Sequence, residues 1–558
     1  MTKYSRNTVF IFVGTLIILA GTIFSPQTFE TNDDMLIIRM VSGRLGPVAS
    51  AKALFPNILF SSSLGVLYKA APGIPWYGLI LNILTIFSLF VIISSLTKLK
   101  NTKAVLAGLL TTGIFFYRIF FLLIFTKTAL FMQSAFFLYL MIDIKHSTSL
   151  KWTGIIPYLL LPLSFLIRSE FLPFFLLFFL PVIIWILVKG GKKKTVLLIS
   201  SIALSFFLIA GNGIYYKRTL SLEFQKFQKA RGYLNGTYIH EENENTEGAL
   251  KKANWSKAEY ELAKHFFFQG EKTFNAAAFE SFNRENKTGI FKYAQIKVLK
   301  EYIETTPISI HFTVALYVLL SIFLFLFRMD QRFDPLVISV VWVLLGIFVF
   351  SFIRLPERIW APLIFYFVFH GVLCMDAVPV RKALGVTVIM LLSVFFLLNY
   401  FDIGRSNIVK ADHFRRHLIE MRKMTKKLNG PIAPILPIHP AWQNYECASP
   451  MKEFKDYPEY ETIPGGWNTY SPYYYRSLKC YSIDSSEELM EQAVQGKILI
   501  AATNDAIGKT LLDHFNNYLL DNYRDYSGAY DVVYSGELFS ILKLNPISER
   551  LNTEKESK

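Results

Sequence analysis

Apolar residues in this chain gather in long uncharged runs rather than in short alternating or striped patterns. The runs at 104–117, 171–188, 308–327 and 383–398 hold almost no charge, and each can cross most of a ~30 Å hydrocarbon layer. Read along the chain, the pattern predicts spans at 9–24, 76–96, 104–117, 119–141, 152–167, 171–188, 195–214, 308–327, 335–352, 359–375 and 383–400. The expected fold class is an α-helical polytopic membrane protein of about eleven transmembrane helices with a small extracytoplasmic α/β C-terminal domain. The first run is signal-peptide-like in length, but Phe24-Ser25-Pro26-Gln27 lacks the small-residue cleavage form, so it counts as a span.

One apolar stretch does not fit a span. Residues 54–70 contain Pro56, Asn57, three serines at 61–63 and Lys69, which suits an interfacial or re-entrant helix. Loop charge agrees. If 54–70 stays on one side, then Lys98, Lys100 and Lys103, Lys189 with Lys192 to Lys194, the Arg328–Arg332 loop and Arg381-Lys382 all join the N-terminal Lys3 and Arg6 inside. If it crosses, these lysines move outside. The basic residues Lys410, Arg415, Arg416, Arg422, Lys423, Lys426 and Lys427 pull the other way, on the outer side just after the last span.

Two parts are polar enough to lie outside lipid. With outer loop 25–75, the first is a helical outer loop at 215–306, inside a membrane domain taken as 1–400. Ser256-Lys257-Ala258-Glu259 fits a capping box, and Tyr260, Leu262, Ala263, Phe266 and Phe267 form an apolar face. The acidic stretch around His240, Glu241, Glu242 and 243–247 reads as a solvated turn before a metal site. The second part, 401–558, opens with a basic amphipathic helix bearing Phe414, Leu418 and Met421, ended by Asn429-Gly430-Pro431. That helix either lies on lipid phosphates or serves as a solvated connector. A strand at 497–502, a helix from about 506 to 519 and two strand-like runs in 530–544 complete an α/β domain. Gly508-Lys509-Thr510 imitates a phosphate loop, but Thr503 stands where the first glycine is needed. The aromatic run from Trp467 to Tyr475 suits a core or interface first, and glycan stacking second.

Composition confirms the solvent and adds little else. The 558 residues are 53% hydrophobic, 16% aromatic and only 18% charged, against about 25% charged in soluble proteins. A net charge of +16 would suggest nucleic acid, but orientation of short loops accounts for it and no nucleic-acid partner is expected. Of three cysteines, Cys374 lies in an apolar run, while Cys447 and Cys480 either pair in an oxidising space or remain thiols.

Candidate chemistry collects on the outer face. Asn32-Asp33-Asp34 follows the first span; one aspartate could deprotonate an acceptor hydroxyl while the other holds it in place or binds a divalent metal. The plainer reading is a helix cap ahead of Met35. Arg168 with Glu170, Arg354 with Glu357 and Arg358, and Arg118 with Lys127 lie on the same face. Ionisable residues at a membrane are costly, and arginines grip phosphate with two donors; ion pairs that merely join helices are the alternative.

In this arrangement the chain resembles the GT-C glycosyltransferases, which use polyprenyl-phosphate sugars as donors. An acidic pair after the first span, a Pro- and Gly-containing interfacial helix before the second, and an extracytoplasmic C-terminal domain carry the resemblance. Phe125-Thr126-Lys127-Thr128-Ala129, Ile167-Arg168-Ser169-Glu170 and Leu355-Pro356-Glu357-Arg358 with Pro362 resemble its core motifs. The resemblance covers about 8–400. It implies Asp33 or Asp34 as base, and Arg168, Arg354, Arg358 and Lys127 on the donor phosphate with Glu170 and Glu357 in support. It also implies transfer of a sugar to a cell-envelope glycan, lipid or protein, in a multi-pass plasma or inner membrane protein with a cytoplasmic N-terminus. Asp-Asp stands where many members have Asp-Glu, and 215–306 is a large insertion. Competing readings are a glycan polymerase or ligase acting through outer-loop residues such as Arg231 and His240, and a non-catalytic transporter or scaffold, which the lack of internal repeats disfavours. A cysteine introduced at 98–103 is expected to react with an impermeant thiol reagent only in inside-out vesicles, and one at 410–427 only from outside; labelling of 98–103 on intact cells would reverse the topology.

Overall fold

The computed structural model describes residues 3–24, 26–43, 49–146, 154–232, 234, 245–286, 382–428, 434–439, 448–452 and 462–547, and positions 358, 359, 362, 365, 366 and 369. The expected spans at 308–327 and 335–352, and most of 359–375, lie outside the described residues, as do Arg354, Glu357, His240, Cys374 and Cys447.

Within them, most apolar runs became helices where expected, but the span expected at 152–167 is a 3-10 turn at Ile156–Leu159 followed by a helix of only 8 residues. Helix α1 covers Lys3–Gly21, α2 Asn32–Ser42, α3 Ile58–Ala70, α4 Trp76–Leu96, α5 Thr102–Phe121, α6 Phe125–His146, α7 Leu160–Ile167, α8 Leu172–Lys189 and α9 Gly191–Thr219. Five described helices are long and apolar enough to cross a membrane: α4, α5, α6, α9 and α14, which covers Lys382–Lys427. Helix α6 is the axis. Its apolar positions are buried all round, with Phe137 stacked 4.2 Å from Phe179 and Phe131 packed on Phe365, as expected of a helix hydrophobic on every side.

Helix α3 has 13 residues and is therefore about 20 Å long, too short to cross a bilayer. Its start is bolted to the bundle. Asn57 caps it by accepting from the Leu59 amide at 3.0 Å and donates to the Leu208 carbonyl at 3.0 Å, while the Ile58 amide reaches Asn212 Oδ1 at 2.8 Å. Asn212 donates in turn to Ser169 Oγ at 3.1 Å. The interfacial reading of 54–70 agrees with these lengths and contacts.

The bundle has two chemically distinct ends. At one, Asp143 on α6 receives Lys98 at 2.5 Å and Lys194 at 2.7 Å, and Thr102 donates to Asn7 at 2.8 Å. The N-terminal helix and the two basic loops at 98–103 and 189–194 thus share one end. At the other, strand β1 (Thr28–Phe29) pairs in parallel with β2 (Leu122–Leu123), which breaks α5 from α6. There α2 meets the polar body: Arg39 donates to Thr462 Oγ1 at 2.6 Å and to the Thr462 carbonyl.

That body is built from two distant stretches of sequence. Helices α10 (Leu222–Gly232), α11 (Thr246–Ala253), α12 (Lys257–Lys264) and α13 (Ala276–Glu285) pack on α15 (Pro472–Lys479), α16 (Ser486–Val494), α17 (Ala506–Asn522) and a sheet. Strands β3 (Ile435–Pro437), β4 (Leu499–Thr503), β5 (Tyr526–Ser535) and β6 (Phe539–Pro546) run in the order β3-β4-β6-β5, parallel only at β3 and β4. The Ser256–Glu259 capping box forms. The apolar face behind it needs a cover, and the cover is the C-terminal segment: Phe267 packs edge-on to Phe515, and Tyr470 and Tyr518 donate to the carbonyls of Phe268 and Gln269. The described residues of loop 215–306 and the C-terminal segment therefore share one core. The aromatic run takes the interior role, with Tyr470, Tyr473 and Tyr474 buried.

Helix α14 spans 46 residues, about 70 Å, and runs through residue 400 without a break. Its basic stretch presents its apolar face to the sheet. Leu418, Met421 and Met424 are buried, the last two against Ile435, Leu499, Phe539 and Ile541. The sheet thus covers the apolar face of this helix, a partner that neither lipid phosphates nor a solvated connector supplies. Glu420 locks the contact by accepting from the Leu538 and Phe539 amides at 3.1 and 3.3 Å. A Cβ added at Gly536 would stand 1.7 Å from Glu420 Oε1. Gly536→Ala is expected to cost about 1–3 kcal/mol through overpacking, read as a lowered melting temperature of the detergent-solubilised chain; an unchanged melt would contradict this contact.

Candidate functional site

The site forms where α2, α6 and α7 begin or end beneath the polar body. The parallel pairing of β1 with β2 brings the chain after α1 alongside the α5–α6 break. Asp33 and Asp34 then fall in the first turn of α2, whose N-cap position is Thr31. Neither aspartate is the cap, which corrects the plainer reading of the pair; negative charge still suits a helix N-terminus.

The two carboxyls differ sharply. Asp34 is wholly buried, and its Oδ1 accepts from the Tyr77 hydroxyl at 2.8 Å and from the Phe125 amide, the first of α6, at 3.2 Å. Burial pushes its pKa well above the ordinary carboxylate value, the Tyr77 hydrogen bond and the Phe125 amide oppose the rise, and the charges of Asp33 and Glu30 add to it. Asp33 is half-buried, and its charge acts on both Arg168 and Arg231.

Arg168 directly follows α7. Its guanidinium lies against the rings of both Phe55 and Phe125, 4.7 and 4.9 Å from their centroids, and pairs with Glu170 at 2.9 Å. Burial lowers its pKa, Glu170 and Asp33 oppose the fall, and Arg358 deepens it, so Arg358 stands within the same electrostatic neighbourhood. Lys127 is buried and meets Glu30 at 2.6 Å. Arg118, expected beside Lys127, reaches Asn399 on α14 at 3.4 Å. Arg354 and Glu357 lie outside the described residues.

Arg231 joins this group from the far side of the sequence. It ends α10, is buried, donates to Gln228 and lies 3.7 Å over the Trp467 ring. Trp467 also packs 5.7 Å from Phe55, which shields Arg168. Burial pushes the Arg231 pKa well down, and Asp33 and Glu170 work against that. In sequence Arg231 belongs to a polar loop and stood apart from the aspartate pair. A buried position in an otherwise amphipathic loop helix is the signal, and it is visible only once the loop is folded.

No protein-family model matches the sequence, and no curated protein matches it. Two solved structures similar to this chain are ArnT chains. ArnT from Cupriavidus metallidurans in the apo state is 11% identical with a TM-score of 0.39, covering 96% of this chain and 98% of that one. ArnT from the same organism bound to undecaprenyl phosphate is 9% identical with a TM-score of 0.45, covering 96% and 97%. The chemistry of the site rests on its own residues.

The described residues do not gather three His, Cys, Asp or Glu side chains that could hold a metal. Asp33 lies in the fields of two guanidiniums, which repel a cation, and beside the Asp34 carboxyl. The Gly508 region is equally unfit for phosphate: Asp505 accepts the Gly508 amide at 2.7 Å as an N-cap, and a Cβ at Gly508 would stand 2.1 Å from the Thr503 carbonyl. Because the Asp34 pKa is raised on folding, its contribution to stability is complete below the unfolded value of about 3.9 and is lost as pH rises through the folded value. Asp34→Asn is therefore expected to match wild type below about pH 4, where both states are protonated, and to melt at or above it at pH 8. A melt that falls further behind wild type at pH 8 would contradict a raised pKa.

Proposed function

We propose that this protein transfers a sugar from a polyprenyl-phosphate-linked donor to a cell-envelope acceptor on the outer face of the cell membrane. The observation that carries the reading is the placement of Asp33 within the fields of Arg168 and Arg231, each shielded by aromatic rings, at the junction of the helical bundle and the polar body. A lipid-borne phosphate reaching that junction from the bilayer meets Arg168 first, since Arg168 closes α7. In this reading the cytoplasmic side holds the Lys98–Asp143–Lys194 end and the polar body faces outward.

Asp33 accepts the proton of the acceptor hydroxyl as its oxygen attacks the anomeric carbon. The bond to the carrier phosphate breaks with its electron pair on the phosphate oxygen, so the configuration inverts. Arg168, with Arg358 nearby, stabilises the charge that grows there. A guanidinium held against rings and largely withdrawn from water is screened less than a free one. Asp34 is a positioning residue: held by Tyr77 and the α6 amide, it fixes the first turn of α2 and hence Asp33.

Asp33→Asn is expected to reduce transfer from a polyprenyl-phosphate sugar by about 10²–10⁴-fold with donor binding kept. Arg168→Lys is expected to weaken donor binding, since a point charge lacks the planar fork. Transfer by membranes carrying Asp33→Asn at the wild-type rate, with equal expression, would sink the proposal.

A further inference from the structure

The buried surroundings of Arg231 leave it short of partners. Nη2 donates to Gln228, but Nε and Nη1 are buried with no hydrogen-bond acceptor among the described residues, and the residue is only 1% exposed. A guanidinium removed from water needs an anion or acceptor oxygens on its free edge. Rings cover the faces instead: Trp467 lies at 3.7 Å and Phe268 at 5.8 Å. Nε and Nη1 lie on the two edges that flank Nη2, so an oxyanion meets one of these free donors beside the second hydrogen of Nη2.

Its route into the site differs from that of Arg168. Arg168 follows directly on bundle helix α7. Arg231 is carried by α10 of the polar body and is fastened there through Gln228, whose Nε2 donates to the Trp467 carbonyl at 2.7 Å, and through Asn283, whose Nδ2 donates to the neighbouring Ala230 carbonyl at 2.7 Å. Asp33 acts electrostatically on both guanidiniums. One cation thus faces what comes from lipid, and the other faces what comes from the polar side.

Resting on the reading of the site as a transferase, we propose that Arg231 is the recognition residue for an anionic acceptor, holding a phosphate or carboxylate of the acceptor beside the hydroxyl that Asp33 deprotonates. The acceptor class is accordingly an acidic envelope molecule. A neutral acceptor would leave the Arg231 edge bare in the working complex.

The test uses the full chain in detergent, with inorganic phosphate and acetate as probes and the fluorescence of Trp467 as readout, assigned by Trp467→Phe because the chain has eight tryptophans. At fixed ionic strength, one of the two anions is expected to change the signal saturably. The response should persist when a short polyprenyl phosphate saturates the donor side, and it should weaken at least tenfold in Arg231→Gln but not in Arg168→Gln. Preference for phosphate or for acetate distinguishes the two acceptor chemistries. Arg231→Lys, which keeps the charge and loses the fork, supplies the comparison if Arg231→Gln does not fold, and is expected to bind with intermediate strength. An unaltered response in the folded Arg231 variants, displacement of the anion by the polyprenyl phosphate, or no response in wild type would overturn the proposal. Failure of polyprenyl phosphate to bind wild type, with the anion response intact, would instead overturn the donor reading and leave the Arg231 anion site standing.

Discussion

The buried carboxyl of Asp34 is the fixed point around which the end of the bundle beneath the polar body is arranged. A carboxyl taken wholly out of water survives only with good donors, and here they come from two helices: the Tyr77 hydroxyl on α4 and the leading amide of α6. Three elements converge on one oxygen. Because Asp34 sits in the first turn of α2, that convergence sets where Asp33 stands and where α2 points its Arg39 into the polar body. Loss of the acceptor would leave a buried hydroxyl and a helix-leading amide without their partner at once.

Around that point, charge is kept at the boundary between lipid and water by aromatic surfaces. Phe55 is central: its ring covers Arg168 on one face and meets Trp467, which in turn covers Arg231. The two arginines are thus held apart by rings yet share the field of one half-buried aspartate. Cations shielded in this way interact strongly with incoming anions, since desolvation has already been met by folding.

Much of the bundle was legible because apolar run length reports directly on the solvent. The run at 76–96 became α4 with the same limits, and the polar interruptions at Pro56, Asn57 and 61–63 marked a helix that stops after 13 residues. The strands around 499–503 and 539–546 and the helix from 506 were legible from local pattern too. Contacts between distant segments were not. Periodicity placed an apolar face on 414–421 but could not say that β6 would cover it, nor that the helices of 222–285 would share a core with tyrosines more than 180 residues away. The aspartate pair and Arg168 stood out by being charged beside lipid. Arg231 stood out only as an outer-loop residue of the polymerase or ligase reading, because the fold that brings it to the aspartate pair is not visible in the sequence.

The central claim is that a lipid-borne phosphate is received at the Arg168–Asp33 junction. An experimental structure of the chain with a polyprenyl phosphate bound measures this directly. The account predicts phosphate oxygens within hydrogen-bonding distance of the Arg168 guanidinium, with the Asp33 carboxylate facing the same space and the lipid tail running down the bundle between Phe55 and the membrane helices. A phosphate seated instead at the opposite end, on Lys98 and Lys194 beside Asp143, would contradict it.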